Sequence, residues 1–139
     1  MANLIDTDIL SYVIHSIPDA VALLGALTAD GVGMSVITYL VALQSVTRSL
    51  ISRTARQRFG GLLSEMPVIA FGLVEAERTA DLFEQLRREG RSVRSRALDL
   101  LIAGTTLAHE LMLVSNNTAD YLDNSDLDFR GASTDVSHP

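Results

Sequence analysis

Apolar positions in this chain fall into short dense runs, separated by longer stretches where they recur every three or four residues. Runs too short for a helix and rich in β-branched residues read as buried strands, and the three-to-four spacing reads as amphipathic helix. Asn3 to Asp6 is the first strand, with Thr7 or Asp8 placed to cap a helix through Ile9, Leu10, Tyr12 and Val13. Pro18 suits the first turn of a second helix carrying Val21, Leu23, Leu24 and Leu27, and Asp30-Gly31-Val32-Gly33 breaks it. Met34 to Ile37 reads as the second strand, with Thr38 capping a third helix through Leu50. A fourth helix spans about Thr54 to Leu63 and ends before Pro67. Val68-Ile69-Ala70-Phe71 is the third strand, followed by helices over Val74 to Arg88 and Ser95 to His109, with Glu89-Gly90-Arg91 between them. Leu111 to Val114 is a fourth strand, and Leu127-Asp128-Phe129 an edge strand.

Short apolar strands alternating with helices require crossover connections. The expected fold is therefore α/β, a three-layer arrangement with a short central parallel sheet and helices on both faces. One domain over residues 1–130 accounts for the pattern, and residues 131–139 read as a disordered tail. In such sheets ligands bind beyond the carboxyl ends of the strands.

Composition narrows the chemistry. At 139 residues and 47% apolar content the chain supports one core. It has no cysteine, which excludes disulfides, zinc–thiolate sites and thiol catalysis and suits a reducing cytoplasm, the expected location. No apolar run approaches the roughly 20 residues that span a bilayer, and no signal peptide is expected at the N-terminus. The net charge of −6 argues against indiscriminate nucleic-acid binding. Its distribution says something different: from Val46 to Arg96 there are ten arginines against six acids, whereas the last twenty residues are acidic. All eleven basic residues are arginine, which suits planar phosphate contacts, although a solvated helical surface accounts for most of them equally well.

Two aspartates stand against apolar runs from opposite ends of the chain: Asp6 after Leu4-Ile5, and Asp99 before Leu100-Leu101-Ile102-Ala103. A carboxylate at such an edge is costly unless exposed, hydrogen-bonded or paired with a cation, so the two together invite a metal site. The plainer readings are a cap of the first helix for Asp6 and Asp8, and a favourable first-turn acid for Asp99. Asn117 and Thr118 are ordinary cap residues, and His15 and His109 sit at helix ends. Ser95 and Ser115 have no histidine at motif spacing, and the glycines form no phosphate loop.

Leu4-Ile5-Asp6-Thr7-Asp8-Ile9-Leu10, then Ser35-Val36-Ile37-Thr38-Tyr39, then Asp99 to Ala103 followed by Leu113-Val114-Ser115-Asn116-Asn117-Thr118-Ala119-Asp120-Tyr121, resemble the PIN domain in their order and spacing. More narrowly they resemble the VapC-type toxins of bacterial toxin–antitoxin pairs, over residues 3 to about 129. That resemblance implies a Mg²⁺- or Mn²⁺-dependent endoribonuclease acting on RNA by metal-assisted phosphodiester hydrolysis, covered by a small VapB-like antitoxin and forming a homodimer. It also implies roles for particular residues: Asp6 as the first metal carboxylate, Asp99 as another, and Asn117 with Asp120 as the last acidic corner. The chain departs from the family at Val41, where the pattern ending Glu-Ala-x-Gln would supply a further acid. Hence an alternative, a catalytically impaired PIN scaffold that binds antitoxin or RNA without turnover. A phosphoacceptor receiver domain, which also carries acids after its first strand, needs a lysine near the site, and the chain has none.

Overall fold

The computed structural model describes residues 2–48, 52–116 and 129–131. Five strands, β1 (Asn3–Ile5), β2 (Val32–Ser35), β3 (Val68–Ile69), β4 (Met112–Ser115) and β5 (Phe129–Gly131), form one sheet in the order β3-β2-β1-β4-β5. All four pairings are parallel, with Leu4 opposite Gly33 on one side and Leu113 on the other. Six helices connect and flank them: α1 (Thr7–Ile14), α2 (Pro18–Leu27), α3 (Val36–Arg48), α4 (Ser52–Glu65), α5 (Leu73–Arg88) and α6 (Ala97–Ala108). The expected α/β architecture is the one observed.

Side chains alternate across a strand, so neighbouring residues of β1 serve different cores. Ile5, Met34 and Val114 face a cluster built with α1 to α4, including Ile9, Leu10, Val13 and Phe59. Leu4 and Leu113 face the other way, against Leu82 and Leu86 of α5 and Leu100, Ile102 and Ala103 of α6. The sheet is thus the middle of three layers. Packing between α5 and α6 is closest at Gly104, where an added Cβ would lie 1.8 Å from Thr79 Oγ1 and 2.8 Å from Thr79 Cβ. Among the described residues no single helix is long and apolar enough to cross a membrane.

Several boundaries move, each for a local reason. The second strand begins at Val32 and ends at Ser35, because Val32 and Gly33 pair with Asn3 and Leu4. The turn before it contracts to a 3₁₀ segment, Thr28–Asp30, and Gly31 at φ 87°, a left-handed conformation that glycine adopts without strain. Val36 and Ile37, expected in the strand, open α3 instead: Ser35 Oγ accepts the backbone N–H of Thr38 at 3.1 Å, so Ser35 and not Thr38 is the cap. In the same way Asp6, rather than Thr7 or Asp8, caps α1. The third strand shortens to Val68–Ile69, and of the expected edge strand Phe129 lies in Phe129–Gly131 while Leu127 and Asp128 fall outside the described residues.

Candidate active site

The sheet winds outward in two directions from β1, with β2 and β3 on one side and β4 and β5 on the other. The crevice beyond the carboxyl ends of β1 and β4 is therefore the topological switch point, where open α/β sheets bind ligands. Asp6 is the first residue past β1, and Ser115 is the last of β4. The Asp6 backbone N–H extends the pairing to Val114 O at 2.9 Å, which fixes the aspartate against β4.

The Asp6 side chain is 4% exposed. Its Oδ1 accepts the N–H of Thr7 at 2.8 Å, and its Oδ2 accepts the hydroxyl of Ser115 at 2.8 Å. The helix-capping reading and the buried-site reading of Asp6 are thus both true, one for each oxygen. Beside it a hydroxyl cluster forms at the ends of β1 and β2. Thr7 Oγ1 and Thr38 Oγ1 lie 3.3 Å apart, and Ser35 Oγ donates to Thr38 Oγ1 at 3.4 Å. Ser35, Thr38 and Ser115 are fully buried. Asp8 is a brace: its Oδ1 accepts from Ile9 N at 2.7 Å, and its Oδ2 accepts from Asn116 N at 3.1 Å, tying α1 to the end of β4.

Asp99 lies in the first turn of α6, half-buried, beside Arg94 and Arg96 in a shallow surface cleft. Only three residues separate the end of α6 from β4, so its carboxyl end sits at the strand's amino end. Asp99 lines that cleft with Arg94 and Arg96, and Asp6 is bonded to Thr7 and Ser115 at the end of β1. Among the described residues no three of the His, Asp and Glu side chains converge closely enough to hold a metal ion. Asn117 and Asp120, the other two expected site residues, lie outside the described residues.

The donors at this edge are all oxygen: the Asp6 carboxylate and the hydroxyls of Thr7, Thr38 and Ser115. Hard divalent cations such as Mg²⁺ and Mn²⁺ take such ligands, Mg²⁺ commonly through one or two carboxylates with water completing its shell. In kind, the residues present fit that group. Val41 adds nothing to the set. It lines an apolar cavity between α1 and α3 with Ile14, Ala42 and Val46.

Two contacts of the structure have no local signal in the sequence. Ser115, which has no histidine at motif spacing, donates its hydroxyl to Asp6. The spacing of a strand-terminal serine to an aspartate 109 positions away has no local signal. Glu75, buried at the start of α5, bonds Gly72 N through Oε1 at 2.8 Å and meets His109 Nε2 through Oε2 at 2.6 Å. The Gly72 N–H first, then the backbone N–H of Glu75 itself and then His109, hold this carboxyl below its ordinary value. The pair joins α5 to the end of α6 opposite Asp99. Among the arginines, Arg87 and Arg88 pair with Glu84 on an exposed face of α5, a solvated surface, while Arg58 donates to the carbonyl of Ile14.

A family model for the PIN domain matches residues 4–123. This chain belongs to the PIN-domain family. Solved structures agree in fold. A VapBC2 complex from Rickettsia felis bound to a promoter DNA fragment superposes with a TM-score of 0.84 at 23% identity, over 94% of this chain and 98% of that one. A DNA-bound VapBC complex from Salmonella typhimurium gives 0.84 at 21% identity over the same shares. The FitAcB structure from Neisseria gonorrhoeae gives 0.78 at 22% identity, over 94% and 97%. No curated protein matches the chain.

Proposed function

We propose that this PIN domain is the toxin of a toxin–antitoxin pair, an endoribonuclease that hydrolyses RNA phosphodiester bonds with Mg²⁺ or Mn²⁺. One observation supports it most: a carboxylate, Asp6, buried at the switch point and fixed through both oxygens, in a ring of hydroxyls at the edge where α/β sheets bind ligands. Asp6 and Asp99 would hold the cation, with Asn117 and Asp120 completing the corner. When bound, it lowers the pKa of water and offsets charge growing on the phosphate.

The chain's own part is orientation. Thr7 N–H and Ser115 Oγ stop the Asp6 carboxylate from rotating, so its remaining lone pairs keep one direction. Asp8 holds the backbone of Asn116 against α1 and so fixes where the chain leaves β4, just before Asn117. The half-buried Thr7 hydroxyl, next in the chain to that carboxylate, offers a neutral hydrogen-bonding group to phosphate oxygens, and the buried Thr38 hydroxyl lies 3.3 Å behind it. The solved relatives are toxin–antitoxin complexes, which supports a small VapB-like antitoxin as the partner covering this edge. A homodimer is part of the same reading, and the exposed Leu73 and Val74 supply apolar surface for it.

Val41 favours a second reading, a scaffold of reduced turnover. Its side chain faces an apolar cavity where the family pattern has an acid. Incubating the purified chain and its Asp6→Asn variant with RNA and Mn²⁺ separates the two: metal-dependent cleavage lost in the variant supports the nuclease, and RNA binding without cleavage supports the scaffold.

A further inference from the structure

Arginines crowd the end of α5 and the turn that follows it, and the structure sorts them. Arg87 and Arg88 pair with Glu84, and Arg91 pairs with Glu89. All three arginines are exposed, where an ion pair contributes little to stability. Arg94 differs. It too is exposed, yet no carboxylate among the described residues pairs with it.

The fold fixes where Arg94 stands. It opens a 3₁₀ turn, Arg94–Arg96, that runs directly into α6. The turn hangs on the core behind it: Val93 packs against the cluster of Leu82, Leu86 and Leu100, and the Arg91 N–H donates to Leu86 O at 2.9 Å. The Arg96 N–H donates to Val93 O at 3.2 Å. Arg94 and the half-buried Asp99 line one shallow cleft, and no ion pair joins the two. A single ligand that answers both must bring a cation to the carboxylate and an anion to the guanidinium. A phosphate carried on a divalent cation does this. A carboxylate from a protein partner would answer the arginine alone and would set a second negative charge against Asp99. The planar fork of arginine N–H donors also matches phosphate oxygens.

We propose that Arg94 is a substrate-binding residue, which grips a phosphate of the RNA strand beside the bond to be cleaved. This rests on the nuclease reading above, with Asp99 as a ligand of the cation, and it is tested by binding as well as by cleavage. Fluorescein-labelled single-stranded RNA is titrated with the parent chain and with Arg94→Ala, Arg94→Lys and Arg88→Ala in EDTA, over a series of salt concentrations, with anisotropy as the readout. Cleavage of the same strand in Mn²⁺ is followed in parallel, with Asp6→Asn as the control for the nuclease reading. Circular dichroism melts establish that each variant folds.

Arg94→Ala is expected to bind RNA about five-fold more weakly at low salt, the worth of one exposed ion pair. Its plot of log affinity against log salt should be shallower by about 0.7, one phosphate contact fewer on a single strand. In Mn²⁺ its KM should rise by about the same factor with kcat nearly unchanged, the sign of lost substrate binding. Arg94→Lys should restore the salt slope, since the charge returns, and only part of the affinity, since the fork does not. Arg88→Ala should move neither quantity. Parent-like binding, slope and KM in Arg94→Ala overturn the proposal, and with Mn²⁺ cleavage intact in the parent they spare the nuclease. Equal losses in Arg88→Ala and Arg94→Ala also overturn it, because net charge alone then sets the affinity. If the parent leaves the RNA intact in Mn²⁺ the nuclease reading falls, whereas a shallower slope confined to Arg94→Ala still sustains the phosphate contact.

Discussion

Ser115 Oγ donates to Asp6 Oδ2 at 2.8 Å across 109 positions of sequence, both side chains buried. The contact joins the ends of the two strands that flank the switch point, and it makes the candidate site a product of tertiary structure.

Ser115→Ala removes a donor from a buried carboxylate. Hydrogen bonds to charged groups contribute about 1.5–3 kcal/mol, so the variant should lose about 2 kcal/mol of stability, read as a lower urea midpoint with unchanged slope. Any RNA cleavage should fall as well, because the carboxylate is then held less firmly, with the Thr7 N–H still on Oδ1. Full stability with full cleavage would show that the hydrogen bond orients nothing.

Gly104→Ala tests the α5–α6 packing. The new methyl would overlap Thr79 at the oxygen and crowd its Cβ and Cα, and overpacking of this kind costs about 1–3 kcal/mol. Thr79→Ala in the same chain removes Oγ1 but not Cβ, so it should recover only part of the loss. A thermal melt of the single variant equal to the parent's would mean the helices part at no cost.

Glu75 sets an acid limb of stability. Its carboxyl is held below 4.5 in the folded chain, chiefly by the Gly72 N–H and then by its own backbone and His109. The folded state therefore binds fewer protons than the unfolded one in that interval: the stabilisation is whole above 4.5 and is lost as pH falls through the folded-state value. Glu75→Gln keeps an oxygen for Gly72 and drops the charge. Its stability deficit should be largest near neutrality and shrink below pH 4.5. A deficit that stays constant across the titration would assign the cost to shape alone.

Much of this was legible in the chain, and the failures have physical causes. Asn3 to Asp6 and Leu111 to Val114 read as buried strands because no solvated face interrupts them, and the strands observed are Asn3–Ile5 and Met112–Ser115. Boundary errors cluster at capping residues. Ser35 and Thr38 are both good caps, and the pairing of Ser35 with Ile69 keeps Ser35 as the last residue of the strand. Asp6 and Asp99 are visible in the sequence as acids against apolar runs, and the structure buries Asp6 at the end of β1 and leaves Asp99 half-buried in the first turn of α6. The Glu75–His109 contact was invisible because its partners are 34 positions apart, each with an ordinary helix-end explanation.

Val41→Glu asks whether position 41 faces the cation. The carboxylate should tighten Mn²⁺ binding, measured by calorimetry without RNA, since it adds an anionic oxygen to those of Asp6 and Asp99. In metal-free protein the same change should lower the melting temperature, because the charge then faces Ile14, Ala42 and Val46 with no cation to offset it. Adding Asp6→Ala to Val41→Glu should abolish the gain. Unchanged Mn²⁺ affinity in a folded Val41→Glu protein would place position 41 outside the metal's reach.

The central claim is a metal-dependent ribonuclease at Asp6, and the most direct measurement is cleavage of a structured RNA by the purified chain. The account predicts cleavage with Mn²⁺ or Mg²⁺, none after EDTA, restoration when the metal is returned, and none by a folded Asp6→Asn variant. Cleavage that persists in EDTA, cleavage undiminished in Asp6→Asn, or intact RNA with saturating metal would contradict it.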